Sequence, residues 1–109
     1  MTERIRVAPL ADLPDGRGVR VEAAGHRIAV FRVGGDVYAL DDRCSHAEAS
    51  LAEGEVFEGS VECPRHGSEF DLTTGEPGSF PATTPVAVYA TEVVDGDVYL
   101  ILERAEVAS

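Results

Sequence analysis

Cys44-Ser45-His46 and, after sixteen intervening residues, Cys63-Pro64-Arg65-His66 hold both cysteines of this 109-residue chain and two of its three histidines. Each cysteine is followed closely by a histidine, so the chain carries two short limbs of like composition. Local turns can aim both limbs at one point, and Pro64 stiffens the second by fixing its own φ. Two soft thiolates and two imidazoles brought together make a metal centre the expected chemistry. A tetrahedral zinc site is one way to use the four, although structural zinc limbs usually pair ligands of one kind, as in Cys-x2-Cys or His-x3-His.

Outward from the limbs the pattern changes twice. Residues 42–84 have weak periodicity and collect three of the six prolines and every later glycine except Gly96, as an inserted loop module would. Strand-like alternation lies on both sides. Before the insert, Arg4–Ala8, Val19–Ala23 and Arg27–Val33 read as strands, the last two around Ala24-Gly25-His26, and Gly34-Gly35 turns into Val37–Leu40. Pro9–Gly18 has room for a helical turn at most. After the insert, Val86–Val94 turns at Asp95-Gly96 into Val98–Leu102. The expected architecture is all-β: a single domain, 1–109, with an antiparallel β-sandwich base built from 4–41 and 85–103, the insert 42–84 between them, and 104–109 as a frayed tail.

Composition narrows the function. With 44% apolar residues the chain supports one core and no second domain. The formal charge of -11 is unevenly placed, since Met1–Gly35 has six arginines against four acids and Asp36–Ser109 three arginines against sixteen acids. Such a surface repels phosphate backbones and anionic lipid, so nucleic acid and membrane are poor partners and a basic protein is a good one. The first residues lack the apolar run of a signal peptide, and nothing approaches a membrane span, so a cytoplasmic protein is expected. In that reducing setting two cysteines are better metal ligands than a disulfide.

The run His66-Gly67-Ser68-Glu69-Phe70-Asp71, then Thr74-Gly75 and Pro77, resembles the second cluster loop and following turn of Rieske iron-sulfur proteins, and the two limbs resemble their ligand spacing. The resemblance implies a Rieske-like fold and one 2Fe-2S cluster, with Cys44 and Cys63 on one iron and His46 and His66 on the other. It is nearest to the stand-alone ferredoxins of bacterial oxygenases. The cytochrome bc branch carries an extra cysteine in each cluster loop, and this chain has Ala49 and Arg65 there. Two ferric ions, two sulfides and two thiolates sum to zero with neutral imidazoles, so an electron is added more easily than to an all-thiolate cluster. The family range is about -150 to +300 mV.

Three further positions are implied by the resemblance to tune or cover the cluster. Ser68 matches a serine that bonds a bridging sulfide in high-potential relatives, whereas Phe70 stands where those relatives carry a tyrosine hydroxyl. A potential in the lower part of the range follows. Gly78-Ser79-Phe80-Pro81 resembles the loop that shields the cluster, with Pro81 as its stiff member.

By resemblance the chain is an electron carrier and not an enzyme, accepting from a flavoprotein ferredoxin reductase and donating to a terminal non-heme iron oxygenase of the ring-hydroxylating type. His46 and His66 would form the exposed exit, Glu48, Glu53, Glu55, Glu58 and Glu62 with Arg65 would rim it, and a monomer is expected. His26, at a turn far from either limb, is expected to face solvent without metal. Two alternatives stay open: an accessory Rieske protein of iron-sulfur cluster assembly or a nitrite reductase small subunit, and a structural zinc module that binds a protein partner.

Overall fold

The computed structural model describes residues 2–23, 25–43, 49–64, 68–78 and 85–103. Among these, nine strands form two antiparallel sheets. The larger has the order β1-β9-β8-β4-β3-β2, from β1 (Thr2–Pro9), β2 (Arg17–Ala23), β3 (His26–Val33), β4 (Asp36–Asp41), β8 (Val88–Val94) and β9 (Asp97–Glu103). The smaller has the order β5-β6-β7, from β5 (Glu55–Phe57), β6 (Ser60–Glu62) and β7 (Glu69–Asp71). Both ends of the chain build the larger sheet, and the insert leaves and re-enters it at one place: β4 pairs β8 through Leu40↔Val88, and the Asp41 N–H donates to the Ala87 carbonyl at 2.8 Å.

Strand β3 explains how base and insert hold together. Alternate strand residues face opposite ways, and here both faces are covered. Ile28 and Val30 pack with Leu13, Ala39, Val98, Leu100 and Leu102 in the core of the curled base. Ala29 and Phe31, with Leu40 of β4, face the insert and pack on Leu51, Val61, Phe70 and Leu72. Two-sided burial accounts for the unbroken apolar run Ile28-Ala29-Val30-Phe31, in which every residue is fully buried. Each large side chain so buried stabilises the fold by about 1.5–3 kcal/mol.

The turns follow local chemistry. Asp95-Gly96 joins β8 to β9 with φ of 52° and 80°, and Glu58-Gly59 joins β5 to β6 with φ of 48° and 80°, the left-handed pair that a two-residue hairpin needs. The helical content expected in Pro9–Gly18 is a single 3-10 turn, Leu10–Asp12. Three expectations are corrected. His26 belongs to β3, paired with Ala23, so the turn is tighter than Ala24-Gly25-His26; the side chain is exposed, its ring 5.8 Å from that of Tyr89. The strand expected from Val86 begins at Val88, because the Val86 N–H is spent on the Gly75 carbonyl, 2.9 Å away. The insert, read as loop, holds a three-stranded sheet whose strands of three residues are too short to register as alternation.

Candidate metal centre

Strand β6 ends at Glu62 and β7 begins at Glu69, and the two residues are paired. One step further along, the Cys63 N–H donates to the Ser68 carbonyl at 2.7 Å. The second limb therefore lies between two paired strands whose ends are closed by this hydrogen bond. The first limb is closed in the same manner. Arg43 and Ser50 form an isolated antiparallel bridge, and the Leu51 N–H donates to the Asp42 carbonyl at 2.7 Å. The described residues that flank each limb are thus tied to one another by backbone hydrogen bonds.

The two feet share one apolar layer. Cys63 is fully buried among Leu51, Val61, Phe70 and Leu72. Close backbone approach brings the parts together: a Cβ on Gly54 would overlap the Glu62 carbonyl, and one on Gly18 would lie 2.6 Å from the Phe31 ring and 2.8 Å from the Ala52 carbonyl. Glycine is required at both places by space alone.

Of the ligand and tuning residues singled out from sequence, Cys63, Ser68 and Phe70 are described and fully buried, and of the rim acids Glu53, Glu55, Glu58 and Glu62 are described and exposed. Cys44, His46, His66 and Pro81 lie outside the described residues, as do Glu48 and Arg65. The feet of the loop that carries Pro81 are described: Phe70 bridges Pro77, the Gly78 N–H donates to the Glu69 carbonyl at 2.8 Å, and Val86 is held by Gly75. The turn before that loop is fixed by Asp71, whose Oδ1 accepts from the Thr73 hydroxyl, the Thr73 N–H and the Thr74 N–H. These donors, the Thr73 hydroxyl first, hold the Asp71 carboxyl below the usual carboxylate range.

Sequence reading passed over Asp42. It is fully buried, and its Oδ1 accepts from the Ser50 hydroxyl at 2.7 Å and the Ala52 N–H at 2.9 Å. A signal was present, since the alternation of β4 carried two residues past Leu40 puts Asp42 on the insert side.

The donor chemistry fits a 2Fe-2S group. A soft thiol sits in dry apolar surroundings, on a hairpin tip whose foot is closed by a backbone hydrogen bond. Among the described residues no group of three His, Cys, Asp or Glu side chains gathers into a metal site. Beside the insert runs a groove of about 540 Å³, lined by Arg17, Glu53, Glu55, Phe57, Glu62 and Glu69. Its four glutamates are exposed, and Phe57 is 72% exposed.

Comparison with known proteins agrees with this geometry. Residues 3–90 match the family described as the Rieske [2Fe-2S] domain. The 3-phenylpropionate/cinnamic acid dioxygenase ferredoxin subunit of Escherichia coli (strain K12) is 42% identical over 104 residues, covering 94% of this chain and 97% of that protein. Among solved structures, the ferredoxin of carbazole 1,9a-dioxygenase from Nocardioides aromaticivorans IC177 is 37% identical with a TM-score of 0.84, over 89% of this chain and 95% of that one. A chain in the complex of reduced oxygenase and oxidized ferredoxin in carbazole 1,9a-dioxygenase is 41% identical with a TM-score of 0.83, over 88% and 99%.

Proposed function

Because the chain belongs to the Rieske [2Fe-2S] domain family, we propose that it is the one-electron carrier of a ring-hydroxylating oxygenase system, with its cluster held by Cys44, His46, Cys63 and His66. The observation that carries this reading is its end-to-end likeness to a dioxygenase ferredoxin subunit. The cluster supplies reversible one-electron exchange in the range of about -150 to +300 mV.

The chain's own residues do the rest. Cys63, in the layer with Phe70 and Leu51, keeps water from the thiolate side. The closed limb feet hold the ligands in one arrangement, so little reorganises when the electron arrives. As cluster ligands, His46 and His66 would be the residues through which the electron passes to the partner. The exposed acids Glu53, Glu55, Glu62 and Glu69 give the insert a negative field, which speeds encounter with a basic docking patch and makes the rate fall with salt. A flavoprotein ferredoxin reductase fills the carrier from one side and a terminal non-heme iron oxygenase empties it on the other. The chain acts as a cytoplasmic monomer of one domain, in which 42–84 carries the cluster. Among the described residues no helix is long and apolar enough to cross a membrane.

The test is an assay of iron, acid-labile sulfide and zinc on protein purified under low oxygen, with low-temperature electron paramagnetic resonance after dithionite reduction. Two irons and two sulfides per chain are expected, with a rhombic signal of average g-value below that of all-cysteine clusters. Stoichiometric zinc and no signal, even after reconstitution with iron and sulfide, would overturn the reading.

A further inference from the structure

The small sheet has two faces of opposite character. In register, Val56, Val61 and Phe70 make one cross-strand row, and all three pack into the apolar layer beneath. Their neighbours along each strand face the other way. Glu55, Glu62 and Glu69 make one outward row, and Phe57, Ser60 and Asp71 make the next. The three glutamates are exposed, and Phe57, at 72%, is the most exposed large apolar side chain among the described residues.

Neither feature serves the fold. Like charges directly opposite one another on a sheet destabilise it, and an aromatic ring left in water forgoes the stabilisation of burial. The ring is nonetheless held in place, because Phe57 leads into the left-handed turn Glu58-Gly59 and is paired with Ser60. Along this face runs the groove of about 540 Å³, in which Arg17 is the only cation among the described lining residues. A protein surface with cations set around an apolar centre complements both rows: it pairs the acids and takes the ring out of water. Interfaces draw most of their energy from such aromatic anchors, with charged pairs around them. The reach is sufficient. Ser60 lies three residues before Cys63, about 10 Å along the strand, while a standard interface covers about 800 Å² on each partner.

We propose that the outward face of β5, β6 and β7 is a docking face for a redox protein that presents lysine or arginine side chains around an apolar centre, with Phe57 as the anchor. The proposal rests on the reading of this chain as an electron carrier.

The experiment uses full-length holoprotein, reduced and then freed of dithionite, with ferricytochrome c as the probe. That protein is basic, its apolar haem edge is ringed by lysines, and it takes one electron from the reduced cluster. Stopped-flow second-order rates are measured across a range of ionic strength. Phe57→Ser is expected to slow the transfer about tenfold at every ionic strength. Glu55→Gln should slow it about two- to threefold at low salt and make the salt dependence shallower. Two substitutions elsewhere serve as controls: Val93→Ser, at a position 41% exposed on β8, and Glu22→Gln, exposed on β2. Both should stay within about twofold of native. Ser60→Lys sets a cation beside Phe57 and tests the same face by a second route, with a slowing of about tenfold expected at low salt.

Native rates in Phe57→Ser and Ser60→Lys overturn the proposal, and so does an equal slowing by Val93→Ser. A native protein that sediments as a dimer, and as a monomer once Phe57 is serine, would assign the face to a second copy of this chain and overturn it too. Failure of the carrier reading is distinguishable. A native protein without iron and sulfide sinks that reading before any rate is taken, whereas a loaded protein indifferent to Phe57 sinks the docking face alone.

Discussion

The backbone N–H of Cys63 donates to the carbonyl of Ser68 at 2.7 Å, and both residues are fully buried. The hydrogen bond fixes the serine against the proposed cysteine ligand, so the side chain that follows the second limb has a constant position relative to the centre.

Ser68→Ala is expected to lower the reduction potential. A hydrogen bond of about 1 kcal/mol that favours the reduced state corresponds to ~40 mV for one electron. Voltammetry on a variant with full iron content checks it, and an unchanged potential would leave Ser68 as a turn residue only.

Phe70→Tyr is expected to act in the opposite sense. Phe70 is fully buried in the layer that holds Cys63, so a hydroxyl added there has few partners besides the cluster side. The potential should rise by a similar ~40 mV, at a cost of about 1–3 kcal/mol in stability from overpacking. The native protein should titrate in the lower part of the family range.

His46→Cys exchanges a neutral imidazole for a thiolate. The potential should fall toward the value of about -400 mV typical of all-cysteine plant-type clusters, and the average g-value should rise. A variant that keeps two irons and the native spectrum would show that His46 is not a ligand.

Gly54→Ala places a Cβ against the Glu62 carbonyl, which is backbone and cannot step aside. A loss of about 3 kcal/mol or more is expected, with weaker cluster retention, because the 3-10 turn Leu51–Glu53 and β6 are forced apart. Gly35→Ala meets nothing within 4 Å and should change stability by less than about 0.5 kcal/mol. Thermal melts of the two variants side by side make the comparison.

Asp71 should make stability fall in acid. Its carboxyl is held below the ordinary value by the Thr73 hydroxyl and the neighbouring N–H groups. A depressed folded pKa contributes stability that is present above the unfolded value, about 3.9, and is lost as pH falls through the folded one. The stability gap between native protein and Asp71→Asn should therefore be widest near neutral pH and close below about pH 4. A gap that stays constant from pH 6 to pH 3, to be read from denaturant titrations at each pH, would contradict this.

Much of the fold was legible because its signals are local. The alternation of Arg4–Ala8, the Gly34-Gly35 and Asp95-Gly96 turns and the weak pattern of 42–84 each depend on a few neighbouring residues. The strands of the insert were not legible, since three residues carry no period, although Glu58-Gly59 was a turn in plain view. In the candidate site, Cys63 stood out by the spacing of its limb, and Ser68 and Phe70 by resemblance to the family's motif, which is a short local run. Asp42 was passed over, because its only signal is the alternation of β4 carried beyond Leu40 into a pair of adjacent acids; Asp42 is inside and Asp41 only partly so.

The sequence by itself carried the mixed thiol and imidazole pattern and the family resemblance, because limbs of fixed spacing and their flanking turns are properties of short segments. Only the tertiary structure decided how the insert is seated. That seating comes from β4 pairing with β8 across the whole insert, from β3 burying both its faces, and from glycine-sized gaps at Gly18 and Gly54. Such contacts join residues far apart in the chain, and their energy exists only once the sheets have formed.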